Sequence, residues 1–197
     1  DGRVFNACGV VRGGDWLHRY RKCFLPTYGT FDEGRFFAPS REGPRPVELA
    51  PGWRVTPLIC EDLWHPSLTY LAGLQGADVV VAIAAAPGRG VGEGAGFRSM
   101  ETWERMASAL ALFHQLWVVV VNRSGTEGGI TFAGGSFAIA PDGTLRARAG
   151  VGPETLAIEL DPGEVPHARR FGAHLRDEDG TLLLRELERI VRPSRDA

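Results

Sequence analysis

A cysteine and two carboxylates stand together where an apolar run ends, in Leu58-Ile59-Cys60-Glu61-Asp62-Leu63-Trp64. Strand ends are where open α/β folds place their chemistry. A thiol at such a point can be ionised by a helix N-terminus and a nearby cation, and the thiolate is the nucleophilic form. The competing interpretation is a small buried hydrophobe, the commoner fate of a single cysteine. A metal is a third possibility, because Cys60, Glu61, Asp62 and His65 are crowded together and each residue type can bind zinc. It is weaker, since no C-x-x-C or H-x-x-x-H pair supplies a convergent set.

A second cluster runs from Tyr20-Arg21-Lys22-Cys23-Phe24-Leu25-Pro26 through Tyr28 and Phe31 to Glu33, Arg35, Phe36 and Phe37. Lys22 lies at an aromatic-rich strand end just before a rigid proline. An ammonium pointing inward from there needs an anionic partner, which Glu33 or a thiolate could supply. For Glu33 the competing interpretation is a loop salt bridge with Arg35. The other cysteines are less promising: Cys8 sits inside a strand, and Cys23 follows Lys22 on the opposite face of an extended chain.

The elements that must position these groups follow from periodicity. Residues 4–11 and 16–25 are β-prone and joined by Arg12-Gly13-Gly14-Asp15, a tight hairpin turn. Residues 26–46 form a loop whose aromatic residues mark it as ordered. A strand at 53–60, a short helix at 66–75 and an apolar strand at 77–86 make a β-α-β unit. The run Val79-Val80-Val81-Ala82-Ile83 lacks alternation, as expected of a strand covered on both faces. Residues 98–115 place Trp103, Met106, Ala107, Leu110 and Phe113 on one helical stripe, which is core packing. Strands are expected at 116–121, 129–140 and 144–149, the last two flanking Pro141-Asp142-Gly143. Residues 154–160 alternate as a final strand, and 182–191 form an amphipathic helix.

Composition narrows the class. The 197 residues are 44% hydrophobic and 23% charged, as in ordinary globular domains, and neither a repeat nor a linker divides them, so one domain spanning 1–197 is expected. Twenty-two basic against 24 acidic residues leave a formal charge of -2, which announces neither nucleic acid nor an anionic membrane. The apolar runs are far shorter than the ~20 residues that cross a bilayer. Three cysteines do not make a disulfide framework and fit a reducing compartment, so a cytoplasmic location is expected, and nothing at the start reads as a signal peptide.

Taken in order, Tyr-Arg-Lys-x-x-Leu-Pro-x-Tyr-x-x-Phe-x-Glu-x-Arg-x-Phe and Ile-Cys-Glu-Asp-Leu-Trp, with Lys22 and Cys60 38 residues apart, resemble the nitrilase superfamily of carbon-nitrogen hydrolases. The amidase and glutaminase branch is nearest, including the glutaminase domain of glutamine-dependent NAD synthetases. Trp117 to Gly125, Gly134-Gly135-Ser136-Phe137 and Pro141-Asp142-Gly143 extend the resemblance to about residue 160. It implies a four-layer α-β-β-α sandwich and a Glu-Lys-Cys catalytic set, usually joined by a second glutamate. Cys60 matches the nucleophile, Lys22 the lysine and Glu33 the second glutamate. Lys22 and the backbone N–H of Glu61 would hold the oxyanion, and Tyr28 and Trp64 match positions that border the substrate. The first glutamate, the general base, lies in the family on an earlier strand and has no counterpart here. The sandwich is therefore expected to be incomplete at its N-terminus, the other possibility being loss of the base. Ala84-Ala85-Ala86-Pro87 stands where relatives often carry Asn or Ser, which implies a less polar pocket.

The resemblance implies hydrolysis of a small amide through an acyl-thioester on Cys60, with no cofactor and no metal. The alternatives are a glutaminase delivering ammonia to a separate synthetase, since no ATP-binding Ser-Gly-Gly-x-Asp loop follows, and a non-catalytic scaffold or ligand-binding relative. Residues 169–197 form a C-terminal tail with an amphipathic helix. Its apolar stripe of Leu182, Leu183, Leu187 and Ile190 needs a covering surface, so a homodimer is expected.

Overall fold

The structure is a computed structural model in which residues 2–90, 92 and 96–191 are described. The chain opens with a hairpin of β1 (Ala7–Arg12) and β2 (Asp15–Arg21). Its turn needs positive φ at both central residues, and Gly13 (φ 59°) and Gly14 (φ 91°) supply it. The following loop contains a 3-10 turn at Glu33–Arg35 and returns through β3 (Val47–Ala50) to β4 (Trp53–Ile59).

A 3-10 turn, Cys60–Trp64, leads from β4 into α1 (Pro66–Leu74), whose first residue is a proline, a position that requires no N–H. Then come β5 (Val79–Ala84), α2 (Arg98–His114) and β6 (Trp117–Asn122). These are two successive β-α-β units, and β4, β5 and β6 pair in parallel. Next, β7 (Ser124–Glu127) and β8 (Ile130–Ala133) make a small hairpin of their own, while β9 (Phe137–Ile139) and β10 (Leu145–Arg148) join the main sheet. That sheet has six strands in the order β10-β9-β6-β5-β4-β3. Two helices follow, α3 (Glu164–Phe171) and α4 (Gly180–Val191). The architecture is mixed α/β.

One face of the sheet carries the main core. Leu58, Val80, Ala82, Val118, Val120 and Phe137 pack under Leu68 and Ala72 of α1 and Met100, Trp103, Ala107 and Leu110 of α2. On the other face Val55, Val79, Trp117 and Ala140 are covered by Val165 of α3, with Ile158 and Leu160 alongside. That cover stops half-way along the strands. Ile83 and Val121, neighbours in register, remain 48% and 47% exposed, so the apolar run of β5 is not buried on both faces as its sequence suggests.

Three other expectations change. The strand expected over 129–140 is split, because Gly134 (φ 60°) and Gly135 (φ 64°) turn the chain, and a Cβ on Gly134 would collide with the Val151 carbonyl. The alternating segment 154–160 enters no ladder; its half-buried residues lie against the sheet face without pairing to it. Arg169, where the C-terminal tail was expected to begin, lies inside α3, which the pattern did not reveal. The Gln115 side chain holds that helix by donating to the carbonyls of Ala168 (2.8 Å) and Gly172. Helix α4 forms as expected, but its stripe is uncovered among the described residues, and 192–197 lie outside them. No helix among the described residues is long and apolar enough to cross a membrane.

Candidate active site

Cys60 stands at the C-terminal end of β4, the first residue after the parallel ladder. Its backbone takes a left-handed conformation (φ 48°), one of two non-glycine residues among those described to do so. Such a conformation costs an L-residue about 1–2 kcal/mol and persists only where surrounding contacts impose it. Here Asp62 imposes it. Wholly buried, the carboxylate accepts hydrogen bonds from the Tyr20 hydroxyl (2.9 Å), the backbone N–H groups of Cys23 (3.1 Å) and Phe24 (2.9 Å), and the N–H of Ile59 (3.3 Å). One side chain thus ties the end of β4 to the chain leaving β2. The second of these is the segment that carries Lys22.

Lys22 is the only lysine among the 197 residues, and its side chain has no exposed surface. Its Nζ lies 2.7 Å from both oxygens of Glu33, so the inward ammonium is paired in a bidentate fashion. Glu33 therefore pairs with Lys22 and not with Arg35, which faces Asp32 at 4.0 Å. Both charges act on the Cys60 thiol. The three residues singled out for catalysis are thus brought to one place from three separate segments.

The thiol is not the ready thiolate that its neighbours suggest. Burial pushes its pKa up, a backbone hydrogen bond from Ala85 and the Lys22 charge pull the other way, and Glu33 and Glu61 oppose ionisation again. The expected stabilisation by Lys22 is largely cancelled because the ammonium is already neutralised by Glu33. The turn that follows is a five-residue 3-10 segment and adds little helix dipole. Cys8 is pushed up further, to about 11, by burial and by Asp62. Cys23 is raised by burial too, and its sulfur faces the Glu42 carbonyl at 3.3 Å.

Cys60 opens into a cavity of about 300 Å³. Tyr28, Phe31, Trp64 and Trp103 form its aromatic walls, and Glu61, Arg89 and Thr102 bring polar groups. Tyr28 donates to Glu61 (2.7 Å), which raises the phenol to about 12 together with burial, the larger influence. Trp64 meets Trp103 edge to face, with centroids 5.4 Å apart. Both expected substrate-bordering residues, Tyr28 and Trp64, line this cavity. Trp103, assigned to the core from its helical spacing, serves both roles. Phe31 belongs to the aromatic cluster that the sequence marks, whereas Arg89 was not anticipated and no local spacing marks it.

The grouping that suggested a metal does not converge. Asp62 faces four donors, His65 stacks on Phe24 (3.4 Å between centroids, 8° between planes), and the His65 imidazole is 4.0 Å from Glu61. Among the described residues no three His, Cys, Asp or Glu are arranged to hold an ion.

The family model for carbon-nitrogen hydrolases matches residues 1–170. The chain belongs to the carbon-nitrogen hydrolase family. It is similar to the glutamine-dependent NAD(+) synthetase of Aquifex aeolicus, with 32% identity over 88% of this chain and 30% of that protein. Among solved structures, a carbon-nitrogen hydrolase from Helicobacter pylori superposes with a TM-score of 0.84 at 27% identity, covering 94% of this chain and 66% of the other. A mutant of the amidase from Nesterenkonia sp. AN1, with the acetamide moiety of fluoroacetamide added covalently at its active site cysteine, gives 0.71 at 25% identity, over 87% of this chain and 57% of the amidase. These neighbours have the nitrilase-superfamily fold, which this chain shares. The chain thus spans under a third of the synthetase and about three fifths to two thirds of the two hydrolases.

Proposed function

We propose that this hydrolase cleaves the carbon-nitrogen bond of a small amide, with Cys60 as nucleophile. What supports this most is the pair of buried Lys22 and Glu33 set against a left-handed Cys60 in an aromatic-walled cleft. A lysine charge held there is arranged for negative charge that develops on a substrate oxygen. The sulfur attacks the amide carbon, the oxygen takes the negative charge beside Lys22 and the Glu61 N–H, and the C–N bond breaks as the amine leaves with a proton. Water then attacks the acyl-thioester, releasing the acid and returning the proton to sulfur. Because burial keeps the thiol protonated, the first step needs a base. The family resemblance assigns that role to an upstream glutamate, which this sequence does not match. No metal or organic cofactor takes part in this scheme.

The test uses the full-length gene product with a panel of aliphatic amides. Ammonia release, and a fluoroacetamide-derived adduct on the Cys60 peptide, are expected. Cys60→Ala should abolish both, and Lys22→Ala should slow turnover at least ~100-fold. An adduct on Cys8 or Cys23 instead, or no ammonia from any amide, would reject the assignment.

A second proposal, a glutaminase that feeds a synthetase, draws on one feature of the pocket. The Glu61 carboxylate is only 14% exposed and has the Tyr28 hydroxyl as its close partner, so a substrate ammonium would be welcome there, with Arg89 left for a carboxylate. Glutamine turning over at least ~10-fold better than a neutral amide of equal length, and losing that advantage in Glu61→Gln, would favour it.

A further inference from the structure

A second cleft, sharing no lining residue with the Cys60 pocket, lies between β2 and the segment around residues 40–45. Its volume is about 360 Å³, and Tyr20 closes its floor. Arg19, Arg21 and Arg45 line it together with His18 and a single acidic residue, Glu42. We propose that this cleft binds a small phosphate-bearing anion, a phosphomonoester or a diphosphate.

Several guanidinium groups elsewhere on the surface are neutralised by a carboxylate. Arg146 pairs with Glu164, Arg148 with Glu104 and Arg169 with Asp78. Arg19, Arg21 and Arg45 have no carboxylate partner among the described residues. Two of them are nonetheless held in place. Arg19 lies over the Trp16 ring at 5.2 Å, and Arg21 over Phe5 at 4.5 Å. Stacking fixes the plane of a guanidinium while leaving its N–H edges free, so less side-chain freedom is lost when those edges meet an acceptor. Three forks beside one acid give the cleft an excess of about two positive charges, which suits a dianion, and arginine forks match phosphate oxygens two at a time. His18 registers the same field: burial first, and the Arg45 charge second, push its imidazole pKa down. The cleft is about the size of a small-molecule site and is built from two short segments. An acidic protein segment would need a longer track of cations.

Pyrophosphate is the probe, titrated calorimetrically into the full-length protein at fixed ionic strength. One saturable site is expected. The Arg21→Ala/Arg45→Ala double variant should bind at least ~10-fold more weakly, and Glu42→Gln should bind more tightly. Arg176→Ala, which removes an exposed arginine elsewhere, should change nothing. In the unaltered protein the NMR titration of His18 should move to higher pH on saturation, because a bound anion favours the imidazolium; this measurement does not depend on a variant folding. Absence of saturable binding up to millimolar pyrophosphate would overturn the proposal. So would equal weakening by Arg176→Ala, a His18 midpoint that stays put, or capture of polyglutamate in place of pyrophosphate.

Discussion

Replacing Asp62 by alanine should loosen the whole turn at Cys60. Four donors aim at that carboxylate in a site without solvent: one tyrosine hydroxyl and three backbone N–H groups. A hydrogen bond to a charged group contributes about 1.5–3 kcal/mol, and a buried donor left unpaired costs about as much as its bond gave. The four are not additive, because they share one acceptor, and burial of the charge is itself unfavourable, which is why the Asp62 pKa is raised despite its donors. A net loss of about 4–5 kcal/mol remains, within reach of the entire ~5–15 kcal/mol stability of a domain. For a chain of this length that corresponds to a Tm lower by roughly 8–20 °C. Asp62→Asn keeps one acceptor oxygen but turns an amide NH2 toward two of the donors, and should fall between, at about 2–3 kcal/mol. Urea unfolding followed by tryptophan fluorescence reads both values. A loss under ~1 kcal/mol for Asp62→Ala, the size of an ordinary surface change, would show that the clamp does not hold the turn.

Lys22 should resist amine-reactive esters in the folded protein and react only in denaturant; as the sole lysine it is read from one peptide by mass spectrometry, and rapid native labelling would contradict its burial. Gly134→Ala should destabilise by at least ~2 kcal/mol through strain and the collision with Val151, whereas Gly128→Ala, at a similar φ with open space around it, should cost only ~1 kcal/mol. Burial lowers the pKa of His114, whose Nε2 has no hydrogen-bond partner. The unfolded chain therefore binds that proton more tightly, so the contribution is present above an unfolded pKa of ~6.5 and is lost as pH falls below it. His114→Gln should flatten the stability profile between about pH 7 and 5, and an unchanged slope would assign the acid sensitivity elsewhere.

The candidate site was easier to find in the sequence than its electrostatics. Cys60 is marked by the end of an apolar strand, and Lys22 by its aromatic surroundings. Glu33 has both Lys22 and Arg35 as possible partners, and only the fold of the intervening loop decides between them. Asp62 looked like a candidate metal ligand because nothing local announces that two N–H groups from residues 23 and 24 will arrive to meet it. The elements around the site were legible in outline, α2 from its apolar stripe and β4, β5 and β6 from short apolar runs. What periodicity cannot separate is burial from pairing: 154–160 alternates because one side packs, and β5 is uniformly apolar although Ile83 is half open. Nor does composition reveal that a cation is already neutralised, which is why the thiol pKa runs opposite to the first expectation.

The left-handed backbone of Cys60 also decides what can replace it. Glycine occupies that region freely, whereas alanine carries the same steric penalty as cysteine. A glycine at position 60 would release strain that an alanine retains, so the more stable inactive variant should be the one lacking a Cβ altogether. On backbone strain alone, the residue that best suits this position is then one that cannot perform the proposed reaction. Selection for activity would hold the sequence away from its most stable form here. Screens for thermal stability would, by the same token, tend to discard the proposed nucleophile.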